Sequence, residues 1–153
     1  MEPSEYLACL GRGVDVVPSD PEFLEWLVSV GVDVRTRAYF AAGWAAESDG
    51  MIGTGYPLTA DAIMATAHDE PRWLRHGFLL IGSCGNGDPV AIDVRDQGAI
   101  CFLSHEVLWP DDEADPREWS VIVAAGLGDF VKLAWDLDAC PIDFWDARPD
   151  DGA

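Results

Sequence analysis

The amino-acid sequence predicts an α+β fold, a central antiparallel or mixed β-sheet with helices packed around it, and three observations carry that prediction. Residues 77–106 hold three short apolar or alternating runs parted by Gly, Asn and Asp, the pattern of an antiparallel meander. Capped segments near 20–30 and 59–67 repeat apolar residues at helical spacing. After the meander, Leu127, Phe130, Val131, Ala134 and Leu137 make a further helical stripe. The 153 residues suit one domain over 1–153, a size at which roughly 68–70% of the unfolded chain's surface is buried without disulfide staples.

Taken in order, residues 4–10 predict a short helix with Ser4 as N-cap and Gly11 or Gly13 as stop. Asp20-Pro21-Glu22 starts a helix over 20–30, with Asp20 capping and Pro21 supplying the first helical φ. Ser19 with Glu22 offers a rival capping box one residue earlier. Phe23, Leu24 and Leu27 share the helix face, Trp26 and Val30 flank them, and Gly31 is a natural C′ residue. Residues 32–47 carry too little periodicity to choose between a helix and a strand followed by a helix. Glycines at 50, 53 and 55 mark a turn running into a short strand that ends near Leu58. Thr59 then caps a helix through Ile63, Met64 and Ala67 that Pro71 ends, and Trp73 and Leu74 lead into the meander.

The first meander strand, Phe78-Leu79-Leu80-Ile81 between Gly77 and Gly82, is apolar throughout and reads as buried on both faces. Asn86-Gly87 suits a type I′ turn, which needs two positive φ angles. Val90, Ile92 and Val94 alternate with Ala91 and Asp93 as in a half-buried strand. Arg95-Asp96-Gln97-Gly98 turns the chain, and Ile100 and Phe102 alternate with Cys101 and Leu103. Beyond a polar, proline-bounded loop over 109–118, Val121-Ile122-Val123-Ala124 is a short strand. The last helical stripe lies on the sheet and stops at Pro141; Phe144 and Trp145 dock ahead of a flexible acidic tail over 147–153.

Charge is the strongest compositional signal: 28 acidic residues stand against 9 basic ones, a formal net of −19. Such a field repels nucleic-acid phosphates and speeds encounter with a basic protein cleft. An acid-biased proteome accounts for the total equally well. Cys9, Cys84, Cys101 and Cys140 form no CxxC pair and no zinc-ligand spacing, so they read as reduced, mostly buried small hydrophobes. With an acidic N-terminus and no apolar run approaching 18 residues, the chain is expected in the cytoplasm and off the membrane.

The order of these parts is familiar. The hairpin GNGDPVAID at Gly85 to Asp93 follows an apolar strand. Next come a strand running into Ser104-His105-Glu106, a further strand, and a helix beginning Gly128-Asp129-Phe130. From Gly77 to Leu137, about half the chain, this resembles the SUKH superfamily, the Smi and Knr type of domain. The resemblance implies an α+β fold with no catalytic residue in its motif. Bacterial members are mostly immunity proteins that bind and neutralise a cognate toxin, often a nuclease, and fungal relatives are regulatory interaction proteins.

Other chemistry is thinly supported. The loop with Gly82, Gly85 and Gly87 lacks both the lysine and the following helix of a phosphate-binding loop. Asp88 and Asp93 face opposite sides of one strand and do not converge as an acid–base pair; Asp88 is expected to tie down its turn through nearby backbone amides. Cys101, His105 and Asp93 are the sharpest arrangement for a thiol nucleophile, yet Cys101 sits within an apolar strand and no oxyanion donor is identifiable. His105, Glu106, Asp111 and Asp112 lack the glycine and closing glutamate of a calcium loop. His68 and His76 read as ordinary histidines, and Trp26 and Trp135 as core. No cofactor or metal is expected.

Trp109 and Trp119 bracket the acidic run Asp111, Asp112, Glu113 and Asp115. Aromatic residues beside desolvated charge make interface hot spots, and they equally well anchor a loop to a core. The expectation is a non-catalytic binding protein of the immunity type. Its contact residues are Asp96, Glu106, Trp109, Asp111, Asp112, Glu113, Asp115 and Trp119, and its partner is a protein toxin with a basic surface. The alternative is a regulatory or scaffolding module without a toxin partner.

Overall fold

The structure, a computed structural model, describes residues 1–148, so positions 149–153 of the expected acidic tail lie outside it. Helix α1 spans Pro3–Leu10. Its N-cap is Glu2 rather than Ser4, because Pro3 takes the first helical position, where a missing N–H costs nothing; Gly11 is the C-cap. Strand β1 (Val16–Val17) precedes α2 (Pro21–Ser29). Asp20 occupies the α2 N-cap, and no capping box forms: Ser19 Oγ donates instead to Phe40 O at 2.6 Å. Gly31 at φ 91° closes the helix, as its position predicts.

The stretch 32–47, which the sequence left open between a helix and a strand followed by a helix, resolves as a helix with a short strand after it. Helix α3 spans Val34–Ala42, capped by Asp33, whose carboxylate accepts from the Thr36 amide at 3.1 Å. Strand β2 (Trp44–Ala45) follows and pairs antiparallel with β1. The periodicity of α3 is blurred because apolar residues occupy both its sides: Tyr39 and Phe40 are buried, whereas Val34, Ala38 and Ala41 are exposed.

Strand β3 (Tyr56–Pro57) leads to α4 (Ala60–Asp69), capped by the Thr59 hydroxyl, which accepts from the Ala62 amide at 3.2 Å. Past Pro71 comes an unanticipated helical turn, α5 (Arg72–Arg75). The remaining elements are β4 (Phe78–Ser83), β5 (Pro89–Asp93), β6 (Ala99–Leu103), α6 (His105–Leu108), β7 (Ser120–Ala124), α7 (Leu127–Leu133) and α8 (Phe144–Ala147). The sheet is an antiparallel meander in the order β3-β4-β5-β6-β7, two strands wider than the meander read from residues 77–106.

The β4–β5 turn is not type I′. The Gly87 amide donates to Cys84 O at 3.0 Å and the Cys84 amide to Asp88 O at 2.7 Å, which makes a three-residue loop whose left-handed position is Gly87, at φ 98°. Asn86 keeps a negative φ because its side chain is engaged with both the amide and the carboxylate of Asp88, each at 3.0 Å. The last helical stripe also falls short: α7 ends at Leu133, Trp135 Nε1 turns to donate to Cys9 O at 2.8 Å, and Leu137 is 68% exposed.

Both faces of the sheet are covered. Leu79, Ile81, Val90, Ile92, Ile100 and Phe102 pack on one face under α2, α3, α4 and α7. Phe78, Leu80, Ala91, Cys101 and Leu103 pack on the other beneath Trp73 of α5 and Leu108 of α6. Every residue of β5 is therefore buried, where alternation had suggested half. Each of the buried Val, Leu, Ile and Phe side chains stabilises the fold by about 1.5–3 kcal/mol. Phe144 docks into the larger core, while Trp145 stays 46% exposed. Among the described residues no helix is long and apolar enough to cross a membrane.

Candidate protein-binding site

The second, smaller core is roofed by the loop 109–118, and two arginines hold that roof in place. Arg72, at the start of α5, donates to the carbonyl oxygens of Leu108 (2.8 Å), Asp111 (2.8 Å) and Ala114 (2.7 Å). Arg117, the one basic residue of the acidic run, makes a two-pronged pair with the carboxylate of Asp93 at 3.2 and 2.5 Å and also donates to His76 O at 2.9 Å. Its guanidinium lies 4.6 Å from the Phe78 ring centroid. Asp93, buried at the end of β5, also accepts from the Arg95 amide at 3.0 Å, and its bonds hold the Arg117 guanidinium above its ordinary pKa.

With its backbone fixed from beneath, the loop turns its acids outward. Asp112 is wholly exposed, 3.9 Å from Arg72 Nη1, and Glu113 is exposed beside it. Asp111 and Asp115 stiffen the run by accepting from the amides two residues on, Glu113 at 2.9 Å and Arg117 at 2.8 Å. Asp115 also faces His76 at 3.4 Å. Trp109, 51% exposed, leans on Trp73 with ring centroids 5.4 Å apart, and Glu106 is exposed on α6 just before it. Between Trp73, Trp109, Glu70, Arg75, Leu108 and Asp112 opens a cleft of about 460 Å³.

Two expected contact residues lie toward the C-terminal end of the loop. Asp96 sits in the β5–β6 turn, its amide donating to Asp93 O at 3.2 Å, three residues past the carboxylate that Arg117 grips. Trp119 is partly buried and packs on Phe144 and Trp145 of α8 at 6.4 and 6.2 Å, so it belongs to a different aromatic group from Trp109.

Cys101, His105 and Asp93 do not meet. Asp93 is engaged by Arg117, and His105 Nδ1 by Asp88 at 2.5 Å. Cys101 is 1% exposed, with burial first and then Asp93 pushing its thiol up to about 12, so no thiolate forms near neutrality. Among the described residues no group of three or more His, Cys, Asp and Glu is placed to hold a metal ion.

Asp88 reaches further than its own turn. Wholly buried, it accepts from the amides of His105 and Phe144 at 3.0 Å each, residues 17 and 56 positions away, joining the first turns of α6 and α8 to the β4–β5 loop. Burial would raise its carboxyl, but the His105 amide and ring, the Phe144 amide and the Asn86 side chain outweigh that and hold it below the ordinary carboxylate value. Sequence reasoning anticipated the turn and missed these distant amides, as it missed Arg72 and Trp73. A signal for Arg117 was present: a lone base after Pro116 in an acidic run has carboxylates to pair with.

Compared with known proteins, the chain matches no family model, and no curated protein or solved structure matches it significantly. The resemblance to the SUKH superfamily rests on the residues quoted above.

Proposed function

We propose that this protein is a non-enzymatic binding protein of the cytoplasm that neutralises a cognate protein toxin by covering a basic functional surface, in the manner of immunity proteins. The observation that carries the reading is the loop 109–118: Arg72 ties its backbone to α5, Arg117 anchors it to the sheet, and Asp112 and Glu113 are left facing solvent beside the half-exposed Trp109. A fixed loop loses little conformational entropy on binding, and an exposed tryptophan at the edge of a cleft supplies the apolar anchor that clustered charge lacks. Carboxylates around it steer a lysine- and arginine-rich surface and reject acidic ones.

The test is binding to the protein encoded beside it, measured at low and physiological salt. Affinity is expected to fall as salt rises, mainly through the association rate. The triple variant Asp111→Asn, Asp112→Asn, Glu113→Gln should slow association about tenfold, and Trp109→Ala should raise the dissociation rate, each costing about 1–2 kcal/mol. Tight binding indifferent to both salt and these changes removes the acidic loop from the mechanism, and absence of binding removes the toxin.

A further inference from the structure

Helix α3 is apolar on two sides, and only one serves the core. Thr36, Tyr39 and Phe40 are buried. Val34, Ala38 and Ala41, at the i, i+4, i+7 spacing of one helical stripe, are exposed, Val34 by 72%. Helix α2 runs beside it and adds Leu24 and Val28, the latter 55% exposed. These five residues line an open groove of about 360 Å³, to which α2 also contributes Glu25 and α3 Arg37.

Single exposed apolar side chains are ordinary, but a continuous stripe across two packed helices marks a contact surface. The basic partner proposed above is not its natural occupant. Between residues 21 and 42 three acids stand against two arginines, close to balance in a chain with 28 and 9.

We infer that this groove is a two-fold interface between two copies of the chain. A two-fold axis sets one patch against itself, so Glu25 of each copy meets Arg37 of the other while Val28 and Val34 enter the opposing groove. Ala38 and Ala41 are small enough to let the helices approach closely. The local balance of charge lets two molecules of net −19 meet there without opposing carboxylates. Since α2 and α3 cover one face of the sheet and the loop 109–118 the other, both acidic loops stay uncovered in the pair.

Sedimentation of the full chain from about 1 to about 100 µM tests this. A monomer–dimer equilibrium is expected. Val28→Glu and Val34→Glu, both at exposed positions, should weaken it by at least about a hundredfold with an unchanged circular dichroism spectrum. Glu25→Arg and Arg37→Glu should each be monomeric, and their equimolar mixture should form heterodimers, because every cross-copy pair is then opposite in sign again. Arg37 Nε also donates to Val32 O at 3.1 Å; if Arg37→Glu unfolds, Val28→Glu and Val34→Glu decide the question. A monomer throughout the range, a dimer indifferent to Val34→Glu, or no recovery on mixing folded variants overturns the proposal. So does a monomer whose groove binds an added amphipathic helical peptide, which would make a foreign helix the occupant.

Discussion

Asp88 shows how much one buried side chain can organise. Its carboxylate has no exposed surface and accepts from two backbone amides, a ring nitrogen and a side-chain amide. Asp88→Ala leaves those donors unpaired, and urea denaturation should register a loss of about 3 kcal/mol or more. The pH dependence follows from the lowered carboxyl. The stabilisation is complete above the ordinary carboxylate value, roughly pH 4, and is lost as pH falls from there through the folded value. Asp88→Asn should therefore flatten the acid limb of a stability profile. Cysteines give a second check at this scale. Burial pushes the thiols of Cys84 and Cys101 up, so alkylation near pH 8 should spare both in the native protein and modify them only on unfolding, as mass spectrometry of the peptides would report.

Among the elements, the loop 109–118 depends on its two arginines unequally. Removing Arg117 strands the buried carboxylate of Asp93, so Arg117→Ala should lower unfolding free energy by about 3–5 kcal/mol. Arg72→Ala frees three carbonyl oxygens that water reaches more easily, and its signature should be faster amide exchange across 109–117 with a smaller change in melting temperature. Elements with local causes were legible from sequence. Thr59 capped its helix, Gly31 ended another, and the alternation in 90–94 and 100–103 placed two strands, observed at Pro89–Asp93 and Ala99–Leu103. Helices α5 and α6 were not, since four residues are too few for a period to show. The early stop of α7 was hidden too, because it goes with the reach of Trp135 to a carbonyl 126 positions away. In the candidate site the outward acids were readable as a run, whereas the anchors beneath them act across 24 to 42 positions that no local pattern records.

For the whole molecule, the excess of acid over base sets a self-repulsion that salt relieves. Melting temperature should rise with sodium chloride from low ionic strength up to about 0.15 M, where the Debye length is about 8 Å, and level off beyond. A flat response would mean that counter-charges already balance the field locally. The Asp88 junction gives the molecule a further property. Because one carboxylate grips both the amide that opens α8 and the one that opens α6, a protease nick just ahead of residue 143 would loosen the footing of α6, the segment that feeds into the acidic loop. Trimming the C-terminal end would thus weaken a surface formed almost forty residues earlier, and an affinity tag is better tolerated beyond α8 than inserted before it.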